Sequence, residues 1–379
     1  MRPRPRFVLP LICLALGSPA SAAEEPSGAV DVRDAIEATL AALGGRAAIA
    51  ELRSLAVEAD CTGPDGAFRT RVDSFLPGYT YFEQEADEGT LRAWASPRRI
   101  WQATPDGSFQ DLDPGFRHFL RGHEFHLQLL EVESRFSGHR VVDPAAEVGG
   151  EPCTEIAMED EAGLPATLCV SHASGLPLRL ETHPEGAAGP VAVVYRDWRP
   201  VDGVNYFFGF DLSEGAERHF TYDYTRVEPN AVSADLFVSP APAAQRDDQE
   251  ALLEILRRDR RAHLETDAGL VGAHLDDTLF EVSGGRVNPQ TREAVEAFFA
   301  SMFEGAEYRM WEDALPPEIR ISADGTMAWV VRVVRVDRRG PGPDGRPQTQ
   351  VFTSAYTATY EKLDGAWRMT SVTSTFRGE

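Results

Sequence analysis

Three histidines lie close together in the first half of the chain, at His118, His123 and His126. Histidines three or four residues apart share one face of a helix, which is how many helical zinc sites are built. The stretch His123-Glu124-Phe125-His126 is one residue short of the zinc-protease spacing, in which two histidine ligands stand four apart. Only His123 falls on the apolar stripe predicted there. We therefore predict no metal and no cofactor, and ordinary packing or solvation of these histidines.

A fourth histidine, His263, is a candidate general acid or base, because a histidine pKa near neutrality suits proton transfer. It lies on the apolar face of a predicted helix. An acid–base site needs a second polar group, for which Asp276, Tyr308 and Tyr356 are candidates, but no spacing compels the choice. A buried histidine with its hydrogen bonds satisfied is the favoured alternative, so no catalytic residue is assigned beyond His263 as a weak candidate.

Motifs of common enzymes are absent from the sequence. It contains no GxSxG elbow, no GxxxxGK[ST] phosphate loop, no calcium loop and no CxxC pair. Most hydrolases and nucleotide enzymes carry such a motif. This favours a binding protein over an enzyme, although an enzyme remains an alternative.

The amino terminus has the features of a cleaved export signal. Arg2, Arg4 and Arg6 precede the apolar run of residues 7–16, and small residues lead to a cleavage site after Ala22. The run is shorter than the ~20 residues that cross a bilayer, and no later segment is long and apolar enough. We therefore predict a periplasmic or secreted protein without a transmembrane segment. A lipid anchor on Cys13 is the alternative.

The charge of the chain argues against nucleic acid as a partner. The formal net charge is −23, and removal of the three arginines of the signal takes it to −26. Such a charge repels phosphate backbones and anionic membrane surfaces. The arginines are scattered and predict no basic patch.

Of the cysteines that follow the signal, Cys153 and Cys169 stand at matching distances from a predicted turn at residues 160–163. In a hairpin they lie nearly opposite one another, which suits a disulfide in an oxidising compartment. Two buried thiols are the alternative. Cys61 is left without a partner.

Two domains are predicted from the length and from one break in pattern. Residues 239–247 include Pro240 and Pro242 and have no apolar periodicity, so they form the predicted linker. It separates a domain at residues 23–238 from a domain at residues 248–379. Residues 1–22 are the signal peptide.

The first domain begins with a helix whose apolar face ends before Gly44 and Gly45, and a short second helix follows. From residue 54 onward, short alternating runs and turn signals predict an antiparallel meander. One amphipathic helix interrupts the strands, carrying Phe116, Phe119, Leu120, His123, Leu127 and Leu130. We expect this helix to lie across the mouth of a curved sheet.

The second domain begins with a helix from about residue 248 that carries Leu252, Leu256 and His263. Asn288 and Pro289 predict the start of another helix, and three long strands follow at residues 327–337, 350–362 and 366–376. Helices followed by antiparallel strands predict an α+β layer with a curved sheet wrapped around a helix.

These patterns resemble two known families. Residues 30–240 resemble the outer-membrane lipoprotein carriers in the first helix up to Leu43-Gly44-Gly45, in residues 52–57 and 122–126, in the turn at residues 174–178, and in residues 225–228 before Leu236-Phe237. The resemblance implies an incomplete antiparallel barrel, or half-barrel, with helices over its opening and a space for acyl chains.

Residues 249–379 resemble the SnoaL-like branch of the nuclear-transport-factor-2-like superfamily. The likeness rests on the helix through His263, on residues 276–280 and 284–286, and on the hairpin of residues 356–360 and 367–375. It implies an α+β cone with a pocket, in a superfamily that includes both enzymes and non-catalytic binders.

The leading hypothesis is a non-catalytic carrier of a hydrophobic small molecule, lipid or lipoprotein acyl chain, with the C-terminal cone as a second binding or dimerising module. The alternatives are an acid–base enzyme acting on a small apolar substrate in the cone, and a structural adaptor that forms a homodimer through the C-terminal domain. The predicted ligand pockets are lined by Phe116, Phe119, Leu120, His123, His263, Tyr308, Trp329 and Tyr356.

Overall fold

A computed structural model describes residues 31–184, 189–341 and 346–378, so the predicted signal at residues 1–22, with Cys13 and the cleavage site, lies outside the described residues. The fold is mixed and mostly strand, with curved antiparallel sheets that do not close into a barrel. The helices are α1 Val32–Ala42, α2 Arg46–Ala50, α3 Phe116–Gly122, α4 Phe125–Leu130, α5 Val132–Arg135, α6 Arg246–Leu264, α7 Ala268–Gly272 and α8 Arg292–Phe303.

Thirteen strands form the first sheet. They are β1 Ser54–Gly63, β2 Gly66–Phe75, β3 Tyr79–Ala86, β4 Gly89–Ala95, β5 Ile100–Ala103, β6 Phe109–Asp111, β7 Phe136–Val148, β8 Glu151–Asp160, β9 Pro165–Ser171, β10 Pro177–Thr182, β11 Val191–Val201, β12 Val204–Glu214 and β13 Arg218–Pro229. Their order is β6-β5-β4-β3-β2-β1-β13-β12-β11-β10-β9-β8-β7. Strands β1 to β6 pair in chain order, and so do strands β7 to β13. The pairing of β1 with β13 joins these two series into one sheet.

This order places β6 and β7 at opposite edges of the sheet, although they follow one another in the chain. The connection between them, residues 112–135, must therefore cross the sheet, and we call its helical part, residues 116–135, the crossing segment. It carries α3, α4 and α5 and packs its buried leucines into the core of the sheet. The predicted helix inside the meander is thus present, but as three short helices instead of one.

The break in the crossing segment has a physical reason. Glu124, between α3 and α4, has a non-helical backbone (φ −81°, ψ 53°) and its side chain is buried. Its carboxylate accepts hydrogen bonds from Ser74 Oγ (2.8 Å) and Thr80 Oγ1 (2.7 Å) of the sheet. A continuous helix would place only its apolar stripe against the sheet. This chain turns at Glu124 instead, and the turn brings the Glu124 carboxylate to the sheet.

The first helix packs on the same core. Its C-terminus needs glycine, because Gly44 has φ +127° and a Cβ there would lie 2.3 Å from the carbonyl oxygen of Gly203. Asn205 closes the contact by donating from its backbone N–H to Leu43 O and from its side chain to Ala42 O, both at 2.8 Å.

Six strands form the second sheet: β14 Leu275–Ser283, β15 Arg286–Thr291, β16 Glu307–Ile321, β17 Met327–Pro341, β18 Pro347–Leu363 and β19 Ala366–Gly378. Their order is β15-β14-β19-β18-β17-β16, and apolar residues of α6 and α8 pack against them. One pair, β14 with β19, is parallel, so the sheet is not the purely antiparallel one that the long strands predict.

The predicted start of a helix at Asn288 and Pro289 is wrong. Both residues lie in β15, opposite Glu281 and Phe280 of β14. The helix begins at Arg292, and Thr291 caps it by accepting the N–H of Ala294 at its Oγ1. Threonine is also a preferred N-cap residue, so the helix does not need Asn288, and the Asn-Pro pair extends the hairpin.

The predicted linker, residues 239–247, contains a 3₁₀ turn at Ala243–Gln245 and runs into α6. Gln249 holds it, accepting from Ala241 N at 2.9 Å and donating to Ser239 O at 2.8 Å. The domain boundaries themselves stay a prediction.

A disulfide joins Cys153 on β8 to Cys169 on β9. The two residues are not directly opposite, because Cys153 pairs with Ser171 and Cys169 pairs with Glu155. The bond thus links diagonal neighbours that are both fully buried, and Cys61 is a buried free thiol.

We expect the double replacement Cys153→Ala/Cys169→Ala to lower the free energy of unfolding by about 3 kcal/mol, because the bond closes a loop of 16 residues. Urea denaturation followed by tryptophan fluorescence measures the loss. In denaturant, the chain lacking residues 1–22 should titrate as one thiol, that of Cys61. Three titrating thiols in protein purified from an oxidising compartment would contradict the bond.

Candidate ligand-binding sites

A groove of about 600 Å³ lies between the crossing segment and the thirteen-stranded sheet. Its sheet wall is mainly apolar and includes Phe68, Leu180, Val193, Leu212 and Tyr222. These side chains come from β2, β10, β11, β12 and β13, at positions whose period-two alternation faces the core. The open sheet therefore leaves apolar surface that its own helices do not fully cover.

The opposite wall belongs to the crossing segment. Phe119, His123 and Phe125 line it, and their rings pack edge-on or tilted against one another. Phe119 is 40% exposed, which is unusual for a large aromatic side chain that faces a core. This wall thus offers aromatic surface, of which Phe119 is accessible, beside the polar side chains of Arg121 and Gln128.

The rim of the groove is charged and carried by hairpin turns. Asp65 and Asp87 lie in the β1–β2 and β3–β4 turns, while Glu161 of the β8–β9 turn pairs with Arg121 at 2.8 Å. A second pair joins Arg218 to the carboxylate of Glu214 at 2.9 Å. Charged groups at the rim and apolar groups inside are the usual distribution in a ligand site.

A buried ion pair anchors the crossing segment. Arg135 donates to Glu124 Oε2 at 2.6 Å and to Glu131 Oε2 at 2.7 Å. Glu124 is 5% and Arg135 7% exposed, and Arg135 also lines the groove. Together with the hydrogen bonds from Ser74 and Thr80, this pair fixes the middle of the segment to the sheet.

His126 is also buried, so the expectation that only His123 lies on the apolar side is wrong. The turn at Glu124 rotates α4, and His126 then stacks on the ring of Phe207 at 3.8 Å and hydrogen-bonds to its carbonyl oxygen at 3.0 Å. Burial lowers the pKa of His126 to about 4, and it also lowers the pKa of His123. His118 is half exposed, with its Nε2 4.0 Å from Asp160.

The four residues predicted to line this pocket divide into two pairs. Phe119 and His123 line the groove. Leu120 is completely buried in the core, and Phe116 packs beside that core without lining the groove.

A second cavity of about 540 Å³ lies between α6, α8 and the concave side of the six-stranded sheet. Its walls are largely apolar and include Leu279, Val295, Phe299, Phe352 and Met369. The volume is in the range of small-molecule sites, ~300–1,000 Å³. Side chains of the domain itself therefore leave this interior partly unfilled.

A polar network lies beside this cavity. Arg332 of β17, only 1% exposed, donates from Nε and Nη2 to both oxygens of Asp313 at 2.6 and 3.2 Å. Its Nη1 donates to Asp259 Oδ2 on α6 at 2.7 Å and to the Tyr356 hydroxyl at 3.4 Å. Asp259 and Tyr356 line the cavity. The guanidinium of Arg332 thus forms ion pairs with two carboxylates.

His263 lies one helical turn beyond Asp259 and also lines the cavity. Its Nδ1 is 2.9 Å from the carbonyl oxygen of Asp259 and 3.5 Å from Asp259 Oδ1, and its ring stacks on Trp311 at 3.5 Å. Burial lowers the pKa of His263, so the ring is neutral near pH 7. Donation from Nδ1 to the carbonyl leaves Nε2 as a hydrogen-bond acceptor.

Three of the four residues predicted for this pocket, His263, Tyr308 and Tyr356, line the cavity, whereas Trp329 does not. Trp329 alternates with the buried Val330 and is 40% exposed on the outer face of β17. Asp276 is not among the lining residues either.

Sequence reasoning missed the charged residues of both sites. One signal was available in Val330-Val331-Arg332-Val333-Val334, where an arginine occupies an inward position of an apolar strand. Such an arginine requires a buried carboxylate partner. No comparable signal marks Glu124, since its partners Ser74 and Thr80 are about 50 and 44 residues away.

Among proteins of known structure, the chain is similar to remote relatives. No protein-family model and no curated protein matches the chain. Matching solved structures include a LolA superfamily protein from Nitrosomonas europaea (13% identity, 56% of this chain and 99% of that chain, TM-score 0.41) and a DUF1329 family protein from Desulfovibrio piger (12%, 57% and 98%, 0.40). Another is an NTF2-like protein from Cytophaga hutchinsonii (19%, 34% and 96%, 0.27).

These matches agree with the two resemblances seen in the sequence. With identities below 25% and TM-scores below 0.5, they carry no argument about function, which rests on the geometry of this chain. In the described ranges, no helix is long and apolar enough to span a membrane. No group of three or more potential ligand side chains is found there that could hold a metal ion.

We expect Glu124→Gln to lower the free energy of unfolding by about 2 kcal/mol, because a neutral amide accepts the buried hydrogen bonds of Ser74, Thr80 and Arg135 less strongly than a carboxylate, while Glu131 still pairs with Arg135. Glu124→Leu should cost more, because it also leaves the hydroxyls of Ser74 and Thr80 without this acceptor. Urea denaturation measures both. Glu133→Gln is the matched control, since it breaks the exposed pair with Arg46 and should cost less than about 1 kcal/mol. Equal losses in Glu124→Gln and the control would refute the assigned role.

His126 should make the fold sensitive to mild acid. Its pKa falls from 6.5 to about 4 on folding, so its stabilising contribution is present above pH 6.5 and is lost as the pH falls toward 4. Between pH 7 and pH 5, His126→Phe should lose about 2 kcal/mol less stability than the unmodified chain. Urea curves at both pH values give the difference, and the exposed His219→Gln variant should behave like the unmodified chain.

Proposed function

We propose that this chain is a non-catalytic binding or carrier protein that holds the apolar part of a lipid or lipoprotein acyl chain in the groove beneath its crossing segment. The observation that carries the proposal is the groove itself, a space of about 600 Å³ that has a mainly apolar sheet wall and is open at a charged rim. Apolar surface left accessible inside a fold is costly unless a ligand covers it.

The shape of the groove favours an elongated apolar ligand. Its lining extends from Phe68 on β2 to Leu180 on β10, which are separated by four intervening strands in the sheet order. Adjacent strands lie about 4.8 Å apart, so a long space runs across the sheet and under the crossing segment. A flexible alkyl chain fits such a space better than a compact ring system.

The crossing segment offers a way in. Its centre is fixed to the sheet by Glu124 and Arg135, but α3 holds the rim through few polar contacts, one from Arg117 Nη1 to the carbonyl oxygen of Ser96. Phe119 on α3 is already partly exposed. We infer that a ligand enters past the exposed ring of Phe119, while α4 stays in place.

The setting of this function is proposed from the sequence. A predicted signal at residues 1–22 directs the chain to the periplasm or out of the cell, and residues 23–238 form the carrier half-barrel. Residues 239–247 link it to a cone-shaped domain at residues 248–379. The disulfide between Cys153 and Cys169 supports an oxidising compartment.

Titration of residues 23–379 with a fluorescent long-chain fatty acid tests the proposal. In Val191→Gln/Leu212→Gln, two apolar groups of the groove become polar, so binding should weaken tenfold or more, about 1.4 kcal/mol. Val194→Gln is the matched control, because Val194 lies on β11 beside the groove residue Val193 but is exposed. It should bind like the unmodified chain.

Native mass spectrometry of protein purified from an envelope extract without detergent should show retained lipid mass in the control and less in the double variant. Undiminished binding of the fatty acid to Val191→Gln/Leu212→Gln would place the ligand elsewhere. Absence of binding by the unmodified chain would end the carrier proposal.

A further inference from the structure

The cavity of the C-terminal domain carries a charge that its own structure does not neutralise. Arg332 supplies one positive charge, and Asp259 and Asp313 supply two negative charges, so the network has a net charge of −1. The side chains of these residues are 1%, 16% and 14% exposed. A surplus charge with so little access to water is costly.

Of the four carboxylate oxygens, one is not bonded to Arg332. Asp313 engages Arg332 through both of its oxygens, whereas Asp259 uses only Oδ2. In the part of the chain that the structure describes, the basic group within 4.0 Å of Asp259 Oδ1 is His263 Nδ1, at 3.5 Å, and that nitrogen has a shorter contact, 2.9 Å, with the backbone carbonyl of Asp259. Because Asp259 lines the cavity, its second oxygen is the available acceptor there.

A structural role does not require this second carboxylate. The bidentate pair between Arg332 and Asp313 alone is electrically neutral and satisfies the guanidinium at two of its three nitrogens. Asp259 adds a negative charge where the fold needs only a neutral hydrogen-bond acceptor. A ligand that brings a positive charge would balance it.

The surrounding walls suit an organic cation. Aromatic side chains form much of the lining, among them Phe299, Tyr308, Trp311 and Phe352. Aromatic rings attract cations through their π faces as well as packing apolar groups. The cavity therefore combines a carboxylate oxygen with an aromatic enclosure, and this combination selects an amine over an alcohol.

Two other charged residues line the cavity, and they offset each other. Arg338 donates to Gln350 Oε1 at 2.8 Å and to the Tyr308 hydroxyl at 3.2 Å, so its partners are neutral. Glu281 of β14 contributes the opposite charge. Their sum is zero, and the net charge of the cavity is that of the Asp259 network.

We propose that the C-terminal cavity is a second ligand site, distinct from the groove, that binds an apolar or aromatic amine with its ammonium group on Asp259 Oδ1. Arg332 and Asp313 position Asp259, and His263 Nε2 and the Tyr356 hydroxyl are further hydrogen-bonding groups beside it. The two sites share no lining residue, so this proposal stands or falls independently of the carrier function.

Three matched probes test this assignment: 1-naphthylmethylamine, 1-naphthylmethanol and 1-naphthoic acid, each titrated into residues 23–379 by calorimetry at pH 7. The ammonium form of the amine should bind at least tenfold more tightly than the alcohol, and the acid should bind most weakly. Tightest binding of the acid would point to Arg338 as the anchor and overturn the proposal. Equal affinities of amine and alcohol would also overturn it.

The variant Asp259→Asn removes the surplus charge while Asp313 still pairs with Arg332. It should weaken the amine at least tenfold and leave the alcohol within about twofold. Asp276→Asn is the matched control, as Asp276 does not line the cavity. Equal weakening of amine and alcohol by Asp259→Asn, at an unchanged melting temperature, would contradict a charge-based site. If the variant does not fold, the preference of the unmodified chain for the amine decides the question.

Discussion

The buried ion pair between Glu124 and Arg135 determines how the crossing segment lies on the thirteen-stranded sheet. The sheet is open, and its two edge strands follow one another in the chain, so the connection between them has to cross its concave face. Apolar packing alone allows that connection to slide or to settle fully into the core. Glu124 prevents both, because its carboxylate is satisfied only where Ser74, Thr80 and Arg135 meet. The groove is the space that this fixed position leaves.

Much of the first sheet could be predicted from period-two alternation and turn residues, because β1 alternates between buried and more exposed residues from Val57 to Cys61, and the turn to β2 lies between Gly63 and Gly66. The edge strands could not. β7 is exposed along most of its length and shifts register three times against β8, so its residues have no regular apolar pattern. β6 has only three residues. Edge strands need little burial, and their sequences carry little signal.

The candidate sites were predictable to the extent that they depend on helix faces. Phe119 and His263 lie on helices, and His123 is the C-cap of α3, so helical spacing shows which of their neighbours share a face. Trp329 was misassigned because alternation shows that two faces exist without showing which one the helices cover. The role of Asp259 could not be inferred at all, since it depends on Arg332, 73 residues later, and on the way Asp313 is already engaged.

The groove and the C-terminal cavity differ in how far water can screen their charges. At the groove, Arg121 with Glu161 and Arg218 with Glu214 pair at an exposed rim, where water screens whatever charge is left over. In the cavity, the side chain of Asp259 is only 16% exposed, so water screens its charge less. Apolar contact area is therefore the main source of selectivity in the groove, whereas charge dominates in the cavity. Since no residue lines both, occupancy of one space does not physically exclude occupancy of the other.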